Sequence, residues 1–268
     1  MIKATLNYSD VSGGRPEFFL YRPPEGTPRR TPRRDAHTVT VHDGREVLAE
    51  LSLDRQGVAL ERHDTRVEDF YDVEEVRTRY FPEVEELVRD ATGADRVVAF
   101  DHNVRCATRA EKGESGAQMP VRFVHNDYTL RSGPQRVRDL MGDEAPELLR
   151  HRFAVINAWR PIRGPVLADP LAVCDASSMR PGDFVGTDLR YRDRTGEVYS
   201  VTFRPEHRWY FFSQMERHEV MLLKCYDSSE DGRARFTAHS AIDDPGTPAD
   251  APARESIEVR ALAFFAPA

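Results

Sequence analysis

Nine histidines stand at positions 37, 42, 63, 102, 125, 151, 207, 218 and 239, and only His125 has a carboxylate two residues on, at Asp127. On an extended chain, side chains at i and i+2 share a face, so this pair can grip one ion. Two imidazoles and one carboxylate on one face, with coordination positions left open, suit Fe(II) in oxygenases. The motif is common, however. Nine histidines and 45 acidic residues in 268 positions yield about 1.5 such pairs by chance. Taken alone, the pair reads as structural.

The C-terminal region adds a second feature. His239 lies in Phe236-Thr237-Ala238-His239-Ser240, and Arg254 opens a strand-like run that continues through Phe264. With period two, Arg254, Ser256, Glu258 and Arg260 share one face, while Ile257, Val259, Ala261 and Ala263 share the other. The polar face has two readings. It is a solvent-exposed face, or it lines a polar barrel interior where a guanidinium grips a dicarboxylate and a hydroxyl adds a hydrogen bond.

The order H-x-D, distant His, then R-x-S resembles the double-stranded β-helix oxygenases that use 2-oxoglutarate. Several blocks resemble, more narrowly, the bacterial and fungal family of the cephalosporin 7α-methoxylase small component, gibberellin desaturase-like and AsaB-like hydroxylase/desaturases. They are Asn7-Tyr8, Asp101-His102 with Arg105, and the stretches 124–129, 157–162, 170–175, 209–212, 219–228 and 254–260. They run in the expected order along nearly the whole chain.

The resemblance implies a mainly β fold with added α, a jelly-roll or cupin-like double-stranded β-helix core preceded by N-terminal helices and strands. It implies His125, Asp127 and His239 as the iron ligands, and a 2-oxoglutarate carboxylate on Arg254 with Ser256 assisting. Fe(II), 2-oxoglutarate and O2 would then hydroxylate or desaturate a small natural-product intermediate, with succinate and CO2 as co-products. His218 is the rival for the distal histidine, at a place where the family has a turn-like polar residue. Two other readings use the same residues: an iron oxygenase that needs no 2-oxoglutarate, and a β-helix protein that binds a small ligand without turnover. Succinate release separates the first reading from both.

Further residues are candidates for ligand contact. Asn157 and Arg160 lie in an apolar run that reads as a buried strand, where a charge needs a partner from substrate, cosubstrate or protein. Tyr128 and Thr129 follow the metal carboxylate and suit a supporting shell. Trp209 is a possible substrate contact, although it, Trp159, Tyr210 and Phe211 also read as core. Lys224 and Asp227 are expected to pair. Arg254 and Arg260 stand roughly 20 Å apart along a strand, so Arg260 is assigned an internal ion pair with Glu258.

These residues must be positioned by a chain that reads as short strands after a helical segment, an antiparallel sandwich or barrel without βαβ alternation. Strands are expected near 38–41, 47–52, 58–61, 96–101, 121–128, 153–159, 171–174, 183–191, 198–204, 208–213, 219–225, 235–239 and 255–265. Apolar spacings of three and four over 67–91 predict one or two helices, with Pro82 in a first turn and Gly93 as a stop. Another helix falls within 134–150. Residues 14–36, rich in Pro, Gly and Arg, read as irregular surface, with the cluster Arg29, Arg30, Arg33 and Arg34 as a solvated loop.

No linker divides the chain. It is expected to be one oxygenase domain over 1–268, an α/β extension over 1–115 joined to a β-helix core over 116–268. The composition, 40% hydrophobic and 31% charged with net charge −7, is that of a globular protein and argues against nucleic acid as a partner. The N-terminus lacks an apolar leader, and no window reaches the length of a membrane span. Three scattered cysteines fit a reducing, cytoplasmic setting. The expected partner is a small-molecule substrate, not a membrane, and no feature sets an oligomeric state.

Overall fold

The computed structural model describes residues 1–267. Its first strands are β1 (Ile2–Asp10), β2 (Glu17–Phe19), β3 (Arg33–Asp43), β4 (Val58–Arg62), β5 (Arg96–Arg105), β6 (Ala117–Gln118) and β7 (His125–Asn126). They continue as β8 (Phe153–Pro161), β9 (Leu171–Cys174), β10 (Phe184–Arg190), β11 (Thr195–Val201), β12 (Trp209–Phe211), β13 (Glu219–Asp227), β14 (His239–Ala241) and β15 (Ser256–Phe264). Two sheets result. One has nine strands in the order β1-β3-β12-β9-β14-β7-β11-β10-β2, the other six in the order β4-β13-β8-β15-β5-β6.

Period-two alternation sorts these strands into three apolar layers. In β15, Ile257, Val259, Ala261 and Ala263 face the helix Phe81–Thr92 with its buried Val84 and Val88. The opposite face of β15 turns Leu262 and Phe264 into the layer between the sheets, beside Val155, Trp159, Met221 and Val173. A third layer holds Leu6, Tyr8, Val41, Ala172, Cys174 and Trp209 on the far side of the larger sheet. Each fully buried Val or Leu in these layers contributes about 1.5–3 kcal/mol. The polar residues Ser256 and Glu258 are buried. The polar face of the last strand is therefore interior.

The helical segment follows its sequence signals. Asp72 caps its start by accepting from Glu74 N at 2.9 Å. A π turn over Val76–Tyr80 leads into Phe81–Thr92, with Pro82 in the first turn and Gly93 ending it at φ 69°. The helix expected within 134–150 forms as Ser132–Met141 and Ala145–Leu148. Lys224 and Asp227 do pair, at 3.0 Å.

Other expectations shift. The strand expected at 47–52 is instead part of a 3₁₀ turn, Gly44–Glu50. Asp43 caps it by accepting from Arg45 N at 3.0 Å, and Arg45 is held by both oxygens of Glu219 at 2.7 and 2.6 Å. The N-terminal residues form β1, paired with β3 along its whole length. The strand expected over 121–128 pairs only at His125–Asn126, and that expected at 235–239 begins at His239. Strands from the first 115 residues enter both sheets: β1 and β3 in the larger, β4 against β13 and β5 against β15 in the smaller.

Gly57 sits where only glycine fits. Its φ is +78°, and an added Cβ would lie 2.0 Å from Thr237 Oγ1. Its carbonyl accepts from Thr237 Oγ1 at 2.9 Å and from Lys224 N at 2.8 Å, tying the approach to His239 against β13. Gly57→Ala should lower stability by about 1–3 kcal/mol from the positive φ alone, with the clash adding to it. A melting temperature lower by several degrees in differential scanning calorimetry checks this; an unchanged melting temperature would show that the turn relaxes freely.

Candidate metal centre

His125 and His239 face each other across the β7–β14 pairing, where they are register partners. Their ring centroids lie 4.4 Å apart. Asp127, two residues beyond His125, turns to the same side and brings Oδ1 to 3.5 Å from His125 Nε2. One donor atom from each of the three lies within 4.8 Å of the other two. His218 is outside this cluster. Each imidazole is oriented from behind: His125 Nδ1 lies 2.8 Å from Phe123 O and His239 Nδ1 3.0 Å from Thr237 O. With Nδ1 donating, the Nε2 lone pairs are left for a metal. Burial and the neighbouring His239 push His125 down to about 3, so it is neutral at physiological pH.

The carboxylate is fixed with equal care. Asp127 Oδ2 accepts from Asn157 Nδ2 at 2.9 Å and from Arg260 Nε at 2.9 Å. Asn157 and Arg260 are direct register partners on β8 and β15, so two neighbouring strands aim donors at one oxygen. Burial alone would raise the Asp127 carboxyl; Arg260, the two histidines and Asn157 outweigh it and hold the group well below the usual range. Arg260 also reaches Glu258 at 2.9 Å and Asp101 at 3.0 Å. The pairing with Glu258 forms as expected, but within a larger network that supports the metal carboxylate.

A narrow pocket runs from His125 and His239 past Trp159 to Arg254, and Arg105 and Glu258 also line it. Arg254 is buried, with Nη1 donating to Asp169 O and Nε left without a partner among the described residues. Ser256 Oγ is likewise buried and unpartnered. Unmet buried donors are costly, and a carboxylate reaching into this pocket would satisfy them. A cavity of about 880 Å³ also opens at His125 and Asp127, lined further by Tyr128 and several arginines.

Comparison with known proteins places this geometry. A family model described as an oxidoreductase/YMDC permease-like domain matches residues 6–264. The chain is 34% identical over 289 residues to the hydroxylase/desaturase efuI of Hormonema carpetanum, covering 98% of this chain and 95% of that protein. It is 35% identical over 277 residues to the Fe(II)/2-oxoglutarate-dependent dioxygenase nvfI of Aspergillus novofumigatus, covering 98% and 96%. A solved structure of the iron and alpha-ketoglutarate-dependent endoperoxidase NvfI superposes with TM-score 0.91 at 29% identity, over 99% of this chain and 98% of that one. The chain belongs to this family of Fe(II)/2-oxoglutarate-dependent oxygenases. No helix among the described residues is long and apolar enough to cross a membrane.

The oxygenase's cofactors are Fe(II), 2-oxoglutarate and O2, and its residues fit them. Two imidazole nitrogens and a carboxylate oxygen are the donor set for Fe(II), and the orphaned Arg254 Nε and Ser256 Oγ suit an anionic cosubstrate. Tyr128 lines the large cavity. Burial pushes its phenol well up, so it stays a neutral O–H.

Two expected contacts are corrected. Arg160 projects from β8 on the face opposite Asn157, where Nε donates to Arg217 O at 3.0 Å and Nη2 to His63 O at 2.9 Å. Alternation along one strand separates it from the site. Trp209 is buried behind the larger sheet, its indole donating to Tyr8 OH at 2.8 Å.

Sequence reasoning also missed residues. Arg30, in a segment whose composition reads as a solvated loop, is half-buried 3.4 Å over the Phe123 ring and lines the cavity. Asn126 was passed over as the middle of H-x-D. Its fully buried amide donates to Tyr128 O at 2.6 Å and Cys225 O at 2.9 Å and accepts from Thr237 N at 3.2 Å. Nothing local marks Arg30, since its place depends on the tertiary position of Phe123, and for Asn126 the one local hint is the apolar pair Phe123 and Val124 just before the motif.

Removing a metal ligand's supporting partner typically costs 10- to 100-fold in metal affinity. Arg260→Gln should therefore weaken iron binding by about that factor, while Arg160→Gln should lower the melting temperature and leave iron affinity unchanged. Iron titration of both variants decides it, and equal iron affinity in Arg260→Gln and wild type would show that Asn157 alone suffices.

Proposed function

We propose that His125, Asp127 and His239 hold the iron, that Arg254 with Ser256 takes the far carboxylate of 2-oxoglutarate, and that the enzyme hydroxylates or desaturates a small natural-product intermediate. The single observation that carries this is a cluster of three donors, two of which, His125 and His239, line a pocket that also holds a buried, half-satisfied arginine. The substrate class rests on the relatives, hydroxylase/desaturases and dioxygenases of fungi. The nearer kinship to the cephalosporin methoxylase and gibberellin desaturase-like group rests on the colinear blocks along the chain. A double-stranded β-helix is supported by the two facing sheets with the donors between them. Pairing of early strands into both sheets supports one oxygenase unit over 1–268, the first 115 residues building outward from a core over 116–268. A cytoplasmic setting rests on three free cysteines, and a small-molecule partner without nucleic acid rests on the net charge of −7.

When bound, iron with 2-oxoglutarate and O2 supplies the oxidation of a C–H bond, and succinate and CO2 are released. The protein's own part is positional. Thr237 O and Phe123 O hold the imidazoles by their Nδ1 atoms. Asn157 and Arg260 occupy one oxygen of Asp127 and leave the other to the metal. Arg254 offers a charged donor with Asp169 O as its only acceptor among the described residues. Trp159, with its ring 5.4 Å beneath the Arg254 guanidinium, closes that end of the pocket against water. Tyr128 presents an O–H donor to the larger cavity. No side chain is needed as a general base.

Two measurements test the assignment. His239→Ala should abolish iron retention and succinate formation, while His218→Ala keeps both; the reverse result would make His218 the ligand. Arg254→Gln should raise the 2-oxoglutarate KM by about thirtyfold to a thousandfold, the loss of about 2–4 kcal/mol of charge-assisted contact, with iron affinity retained. An unchanged KM would move the cosubstrate anchor to another arginine, such as Arg105 in the same pocket.

A further inference from the structure

The large cavity holds more positive charge than its carboxylates answer. Arg260 is committed to Asp127, Glu258 and Asp101, and Arg131 leans on Glu197 at 3.7 Å. Four other lining guanidiniums have no ion-pair partner among the described residues. Arg105 donates to Met119 O at 2.8 Å and Arg194 lies 3.9 Å from the Tyr191 centroid, whereas Arg30 and Arg136 each leave Nε buried without a hydrogen bond. Each of these two instead lies over an aromatic face: Arg30 at 3.4 Å from the Phe123 centroid, Arg136 at 5.7 Å from that of Phe100. A ring face attracts a cation but leaves the N–H fork unspent. Burial lowers Arg30 to about 10, which keeps it charged at neutral pH.

Position ties both to the reacting end of the cavity. Phe123, beneath Arg30, is the residue whose carbonyl orients His125. Arg136, on the helix Ser132–Met141, is close enough for its charge to act on the Tyr128 phenol, next to Asp127. Arg30 arrives on a hairpin rather than a free loop: Phe19 N donates to Arg29 O at 2.9 Å and Thr31 N to Glu17 O at 3.0 Å. The same hairpin brings Phe18 and Leu20 to the cavity wall, which Leu189 and Phe123 extend.

We propose that the substrate is an apolar molecule bearing a carboxylate, whose charge is answered by Arg30 and Arg136. This rests on the reading of the metal centre above and adds the substrate's chemical class. The iron, Asp127, Arg254 and the dianionic cosubstrate balance one another, so the unspent donors of Arg30 and Arg136 remain for the substrate. The planar fork of arginine matches a carboxylate with two parallel hydrogen bonds, and the apolar wall accepts the carbon skeleton.

The test uses the anaerobic full-length protein loaded with Fe(II) and 2-oxoglutarate. Straight-chain carboxylates from octanoate to hexadecanoate, and the matching primary amides, are titrated by calorimetry. At least one acid should bind tenfold or more tightly than its amide. Arg30→Gln and Arg136→Gln should each weaken acid binding about tenfold and leave amide binding unchanged. Arg30→Lys should restore part of the acid preference, and thermal melts confirm that each variant folds. Failure of every acid to bind, equal binding of acid and amide, or an undiminished preference in both Gln variants overturns the proposal. The visible charge-transfer absorption of the iron–2-oxoglutarate centre is read in the same samples. Its absence would count against the metal-centre reading, while the acid–amide comparison reads the cavity irrespective of it.

Discussion

A half-buried carboxylate among buried neighbours must be compensated, and in this protein one carboxylate oxygen organises the elements around it. Asp127 Oδ2 is held by Asn157 of β8 and Arg260 of β15, strands of the smaller sheet, while Asp127 itself follows β7 of the larger one. The contact therefore joins the two sheets at the site. A buried charge without partners would cost several kcal/mol. Arg260 is also held by Glu258 and Asp101, so one guanidinium is shared by three carboxylates and fixed from three sides. Anchoring of that kind makes the geometry stiff. The orientation of Asp127 Oδ1 follows from which oxygen is already taken.

Cross-strand register explains why the network is possible. Asn157 and Arg260 are direct partners, as are His125 and His239. Each pair comes from sequence positions far apart, yet each is delivered side by side by an antiparallel ladder, where opposite side chains share a face within about 5.5 Å. A slip of one residue in the β8–β15 ladder would turn the polar set Ser256, Glu258 and Arg260 into the helix-facing apolar layer and bury Ile257 and Val259 in the site. The apolar half of each strand thus fixes the polar half. Ile257, Val259, Ala261 and Ala263 against the helix layer hold Arg260 under Asp127.

The parts of this arrangement that follow local periodicity were legible in the sequence. The H-x-D spacing put His125 and Asp127 on one face, and the alternation after Arg254 separated a polar from an apolar side. Period two also contained the information that Arg160 and Asn157 point apart, but a run in which every residue is buried, as β8 is, offers no contrast by which to tell one face from the other. Arg30 failed for a different reason. Pro, Gly and Arg in a short segment have the composition of a solvated loop, and only the tertiary placement of Phe123 beneath the guanidinium makes it part of a wall. The turn over Gly44–Glu50 replaced an expected strand because Asp43 and Glu219, the latter distant in sequence, supply its cap and its anchor.

The ligand arms pose a physical problem of their own, since β7 has two residues and β14 three. Strands this short cannot be rigid through their ladders, yet a metal site needs its donors held to a fraction of an ångström. Asn126 resolves this. Its side chain points away from the metal, donates to Cys225 O on β13, and accepts from Thr237 N, while Thr237 O receives the Nδ1 hydrogen of His239. One buried amide thus spans both ligand arms and docks them on a nine-residue strand. An aliphatic residue there would leave the Thr237 N–H and the Cys225 carbonyl unmet, at about 1–3 kcal/mol each. The middle position of the H-x-D motif in this chain is therefore constrained as tightly as its two ends, by the inter-sheet contacts and not by the metal.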